Sequence, residues 1–145
     1  MKNILKYTLL SIFTLSMSQA GWSQNKKRAK FDSLQNTIIV QKLALTQEEQ
    51  DKFLPLYNDY KKKERMLIRK ERKLLKQASE KKATSDEAMK ILLELKRTKQ
   101  QQALLYKKYQ DLFLQILSPE KVLKLYTVER EIRKIVAAKL RERRK

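Results

Sequence analysis

Cysteine and histidine are both absent from this chain, and their absence removes whole classes of chemistry. Without cysteine there is no disulfide framework and no thiolate metal site. Without histidine the usual ligands for zinc, copper and nickel are gone as well. A hard-cation site of carboxylates is what remains, yet the 16 acidic residues are scattered among 35 basic ones, so neither a metal nor a cofactor is expected. Glycine occurs once and proline twice in 145 residues, which starves a β-fold of turns and suits long helices. There is no glycine-rich phosphate loop and no nucleophile elbow. The acidic pairs Glu48/Glu49 and Asp86/Glu87 stand in first helical turns, where the helix macrodipole is reason enough for them. No enzymatic activity is expected.

What is present is positive charge, a formal +19, together with enough chain for one domain. Such a balance argues for an anionic partner or surface and says nothing about fold. The first residues, MKNILKYTLLSIFTLSMSQAGWSQ, have the layout of an export signal. Lys2 and Lys6 form a positive start, Tyr7 to Met17 a short apolar core, and Ser18-Gln19-Ala20 a small-residue cleavage site. The apolar run is shorter than the roughly 20 residues that span a bilayer. Residues 1–20 are therefore expected to be a signal peptide, with cleavage after Ser23 as the alternative and an uncleaved anchor as the competing reading. Loss of Lys2 and Lys6 takes the formal charge from +19 to +17. A periplasmic address follows, and with it nucleic acid ceases to be the expected partner, although basicity alone would suggest one.

The rest, residues 21–138, is expected to be a single all-helical domain followed by a basic tail, residues 139–145. Phe31, Leu34, Ile38, Val40 and Leu43 space a first helix from Asn25. Thr46 and Glu49 form a capping box that starts a second, with Phe53, Leu56, Tyr57, Tyr60, Leu67, Leu74 and Leu75 near one side and a bend at Pro55. Phe53 and Tyr57 are assigned to the core or a dimer seam. The polar stretch 78–88 is a hairpin tip, and Thr84 with Glu87 open a third helix reaching about Leu117. Its polar middle, KRTKQQQ (residues 96–102), suggests light packing. Ser118 caps a fourth helix with Pro119 at its first position and Leu117 and Val122 placed as a staple. Val122, Leu125, Tyr126, Ile132, Ile135 and Val136 supply its apolar face.

Leu45-Thr46 with Glu49, the stretch Phe53-Leu54-Pro55-Leu56-Tyr57-Asn58, and Leu117-Ser118-Pro119-Glu120-Lys121 resemble the two LTxxQ-type motifs of the Spy/CpxP-like periplasmic proteins. FLPLYNDY also resembles small exported helical proteins associated with ECF-type sigma factors. Two departures stand out: Glu49 and Lys121 occupy the glutamine positions, and Lys121 cannot complete a capping box with Ser118. The resemblance implies an all-α, cradle-like homodimer, an elongated helical hairpin with flanking helices. It also implies an ATP-independent chaperone or stress-response role on unfolded or misassembled envelope proteins. The alternative is a regulatory partner of a membrane anti-sigma or sigma-factor signalling protein. Metal binding through His-rich segments, found in some relatives, does not carry over.

A nucleotide-free chaperone needs long-range attraction and modest apolar grip. Lys61, Lys62, Lys63, Arg65, Met66, Arg69 and Lys70 have that texture, and Lys96, Arg97 and Lys99 share it on the third helix. The bland reading is a solvated helix face. The tail cations Arg141, Arg143, Arg144 and Lys145 could touch anionic lipid or cell-wall polymer. A bent hairpin with two flanking helices leaves an apolar stripe that one copy cannot cover, so a homodimer is expected.

Overall fold

The computed structural model describes the backbone of residues 19–80 and 83–142, and the side chains of 29–80 and 83–135. The expected export signal up to residue 18, the side chains around its cleavage positions, Trp22, Val136 and the tail side chains lie outside the described residues. Among the described residues the fold is all-α, with helices α1 (Gln19–Leu43), α2 (Gln47–Glu80), α3 (Ser85–Leu114) and α4 (Pro119–Glu142). Helix α1 begins ahead of the expected Asn25, and α4 continues into the segment expected to be tail. No helix among the described residues is long and apolar enough to cross a membrane. Two compact units, Met1–Ile38 and Ile39–Lys145, divide the chain inside α1. In the first, Phe31 and Leu34 are exposed, so the early part of the expected apolar stripe of α1 is not buried.

The second unit carries the core, and its first device is the end of α1. Ala44 N–H donates to Gln41 O at 3.3 Å and Leu45 N–H to Val40 O at 3.1 Å, the paired bonds of a Schellman stop. That stop puts Ala44 at φ 48°, a left-handed conformation that a β-carbon resists. Leu45 and Leu43 are both buried beside it. Thr46 then opens α2 as expected: its N–H donates to Glu49 Oε2 at 2.8 Å, and Glu49 N–H donates to Thr46 Oγ1 at 3.2 Å. Gln50 Nε2 takes the Leu45 carbonyl at 3.0 Å, so little of the corner's backbone is left to find its own partner.

Helix α2 runs through Pro55 without a break. The ring removes the bond to Asp51 O, and because both residues are exposed, water can satisfy that carbonyl. Phe53 and Tyr57, on the other face, are fully buried with Phe113 of α3. Phe53 meets Phe113 edge-on at 5.1 Å and stacks on Tyr57 at 5.4 Å, while Tyr60 stands edge-on to Phe113 at 5.9 Å. Ile39, Leu43, Leu117, Val122, Leu125, Val128 and Ile132 complete the core. Ile39, absent from the sequence-derived stripe, is wholly buried. Helix α3 ends at Leu114, short of the expected Leu117, where Leu117 N–H returns to Phe113 O at 2.8 Å. Tyr106 of α3 and Tyr126 of α4 approach at 5.3 Å, and burial pushes the Tyr126 phenol up.

Farther along the α2–α3 hairpin each helix has one neighbour, and the apolar residues thin out. Leu75, Met89, Leu92 and Leu93 are half or more exposed. The polar middle of α3 is lightly packed, as expected, with one exception: five of residues 96–102 are exposed, while Thr98 is fully buried, its hydroxyl donating to Glu94 O at 2.8 Å. A small side chain with its own hydroxyl satisfied lets the helices approach without an orphaned polar group. Thr84 caps α3 with the expected reciprocal bonds to Glu87. Replacing Ala44 with glycine should relieve the left-handed strain and stabilise the protein by about 1 kcal/mol. Urea denaturation of A44G checks it, a midpoint below wild type being the contrary result.

Candidate binding surface

The two motifs that start α2 and α4 are joined by one ammonium group. Lys121 Nζ donates to both carboxylate oxygens of Glu49, at 2.7 and 2.6 Å, and lies 3.4 Å from Ala44 O. Three donors thus find three acceptors, across 72 residues of sequence. The side chains are 26% and 21% exposed, so water only partly screens the pair. Glu49 also accepts from Thr46, and the Lys121 hydrogen bond followed by that backbone bond holds its carboxyl below the ordinary value. Placing a cation at the C-terminal end of α1 is favourable in itself. Ser118 Oγ accepts from Lys121 N–H at 3.4 Å, and its hydroxyl bonds the Glu120 carboxyl and holds it below its ordinary value. The two departures from the LTxxQ pattern are therefore complementary: where two glutamines would be neutral, Glu49 and Lys121 form an ion pair.

A second polar link ties α2 to α4. Glu129, 5% exposed, accepts from Tyr57 Oη at 2.8 Å and lies 3.3 Å from Lys61 Nζ, with Arg133 at 3.5 Å from its other oxygen. Lys61 also reaches Glu64, which accepts from Tyr60 Oη at 3.2 Å. Burial, then the charges of Glu64 and Glu129, push the Tyr60 phenol up and keep it a donor.

The sequence-derived binding residues divide on this framework. Lys61 belongs to the Glu129 link. Lys63 bonds Asp59 at 2.7 Å and Tyr109 Oη at 2.9 Å, and Tyr109 donates in turn to Asp59. Hydrogen bonds from Lys63 and then Tyr109 hold Asp59 below its usual range. Lys70 and Arg97 share Glu94, at 2.8 and 3.1 Å, and Lys99 meets Glu71 at 2.6 Å beside Gln102 at 2.9 Å. The bonds from Lys70 and Lys99 hold Glu94 and Glu71 low. Lys62, Arg69 and Lys96 are exposed, Arg65 is half-buried, and Met66 is 61% exposed.

Lys63 and Met66 of that set meet in a concavity. An open groove of about 410 Å³ runs between α2 and α3, lined by Lys63, Met66 and Leu67 on one side and Gln101, Leu104, Leu105 and Lys108 on the other. Its floor is aliphatic and thioether, its rim two lysines. Leu104, at 67% exposed, and Lys108 escaped the sequence analysis because a single helix does not reveal which residues its neighbour brings alongside.

Comparison with protein-family models, with curated proteins and with solved structures finds no match to this chain.

The depressed Glu49 carboxyl fixes the sign of a pH effect. Its stabilisation is fully present above the ordinary value near 4.5 and is lost as pH falls through the lower folded value. E49Q keeps an acceptor for Thr46 N–H but no charge, so its urea midpoint should fall less than wild type does on acidification below that value. Parallel acid limbs in the two proteins would be the contrary result.

Proposed function

We propose that this chain is an exported, ATP-independent chaperone-like protein that holds unfolded or misassembled envelope proteins on the α2–α3 groove. The observation that carries the reading is the groove itself: exposed Met66 and Leu104 beside Leu67 and Leu105, between Lys63 and Lys108. Export rests on the leader-like first residues, and the LTxxQ-type motifs with the family they resemble supply the chaperone or stress-response role. Physical chemistry supports weak, reversible capture. Covering an exposed Met or Leu fully yields about 1.5–3 kcal/mol, whereas association costs about 4 kcal/mol or more. A groove of four apolar residues therefore binds without trapping, and methionine adapts to varied segments. The lysines add encounter rate more than grip.

The homodimer belongs to the same proposal. Met89, Leu92 and Leu93 share the face of α3 opposite buried Thr98, and all three are exposed. A second copy is the occupant that this face suits. Sedimentation at micromolar concentration should give a dimer, and L92K/L93K a monomer; a wild-type monomer removes the second copy from the proposal.

For the groove, the purified protein should suppress aggregation of a heat-unfolded client without nucleotide. M66D/L104D should lose most of that suppression while keeping wild-type helicity. No suppression by wild type at several-fold molar excess refutes the chaperone reading. Recovery of one tight, saturable membrane partner by crosslinking would replace it with the regulatory one.

A further inference from the structure

The segment from Lys61 to Lys76 of α2 has nine basic residues and two acidic ones, and the fold sorts them. The acids, Glu64 and Glu71, are seven residues apart and so lie on one face, the packed face. Glu64 is bonded to Tyr60 and Lys61, and Glu71 to Lys99 and Gln102. Lys61 pairs with Glu64 and Glu129, Lys63 with Asp59, and Lys70 with Glu94. Lys62, Arg69, Arg72, Lys73 and Lys76, together with Arg65, which is itself engaged, fall within an arc of about 100° on the opposite side. Five of these six are exposed, with Arg65 half-buried at the margin. They line about 20 Å of helix. Lys76 also meets Glu80, 3.3 Å away, where the stripe ends. Every position on that arc from 62 to 76 is basic.

We infer that this outer face of α2 is a binding site for a linear polyanion of the phosphodiester class. A rod carrying cations roughly every 4 Å along its axis can follow an extended chain and engage successive charges. Arg69 and Arg72 add donor forks that match the two non-bridging oxygens of each phosphodiester. A bilayer is the poorer fit. Helices that lie in a membrane surface bury an apolar face there, and the apolar side of α2 is occupied by α3, leaving no apolar residue on the cationic arc. Nothing in this site depends on the α2–α3 groove binding clients.

The test is salt-dependent binding of labelled probes to the full chain, read by fluorescence anisotropy. The probes are a poly(glycerol phosphate), a single-stranded oligodeoxynucleotide and a polyglutamate of equal charge, with vesicles of phosphatidylglycerol in phosphatidylcholine as a fourth arm. R69Q/R72Q/K73Q/K76Q is compared with K107Q/K124Q/R130Q/K134Q, which removes the same charge from exposed positions on α3 and α4. Circular dichroism verifies that both keep wild-type helicity. The outer-face variant should bind the phosphate polymers at least tenfold more weakly, with the log–log salt slope reduced by about 3, from about 0.7 per lost phosphate contact. The control variant should change both far less. Binding of either phosphate polymer supports the site and names its source. Equal losses in both variants overturn it in favour of overall charge. Polyglutamate bound as tightly overturns the phosphate class, and vesicles bound more tightly than either polymer overturn it in favour of a membrane.

Discussion

One ammonium group, that of Lys121, fixes how the corners of this protein relate. It ends α1 electrostatically, completes the charge on the N-terminal turn of α2, and belongs to the first turn of α4. A capping box is normally a local matter, two bonds within one turn. Here its acidic member has a second partner from the other cap, so the starts of two helices are no longer independent. The aromatic cluster of Phe53, Tyr57, Tyr60 and Phe113 joins α2 to α3 in the same unit. Glu129 repeats the idea one layer on, taking Tyr57 and Lys61 of α2 onto α4.

From that corner outward the nature of the adhesion changes. Near the aromatic cluster, buried apolar area dominates and is indifferent to salt. Along the outer hairpin a fully buried Thr98 brings the helices close, and ion pairs between partly exposed residues, Lys70–Glu94 and Lys99–Glu71, flank it. Exposed pairs of this kind contribute about 1 kcal/mol or less each. By drawing acids inward, these pairs leave cations outward and apolar side chains of the groove uncovered.

Much of this was legible in the residues because it is local. Thr46 with Glu49 and Thr84 with Glu87 announce helix starts by spacing alone, and both boxes are formed. The scarcity of glycine and proline announced an all-α chain. What escaped was non-local. Lys121 looked like a defect in a cap, and its role depends on a carboxylate 72 residues away. Glu129 carried no signal, since a buried carboxylate in a charged helix differs from its neighbours only through Tyr57 and Lys61. Within KRTKQQQ, which is lightly packed as its composition implies, the burial of Thr98 escaped because composition weighs threonine as polar, whereas a self-satisfied threonine serves as a small spacer. Stripe assignment in α1 failed at Phe31 and Leu34, which are exposed, and missed Ile39, where adjacent isoleucines make periodicity ambiguous.

The shift from aromatic to ionic adhesion gives the hairpin a graded compliance. Mobile ions shorten the reach of exposed charges to roughly 10 Å at 0.1 M, while leaving aromatic packing as it was. Rising ionic strength therefore acts more on the outer hairpin, whose pairs are the more exposed, than on its root, where Lys121–Glu49 is partly shielded and aromatic packing remains.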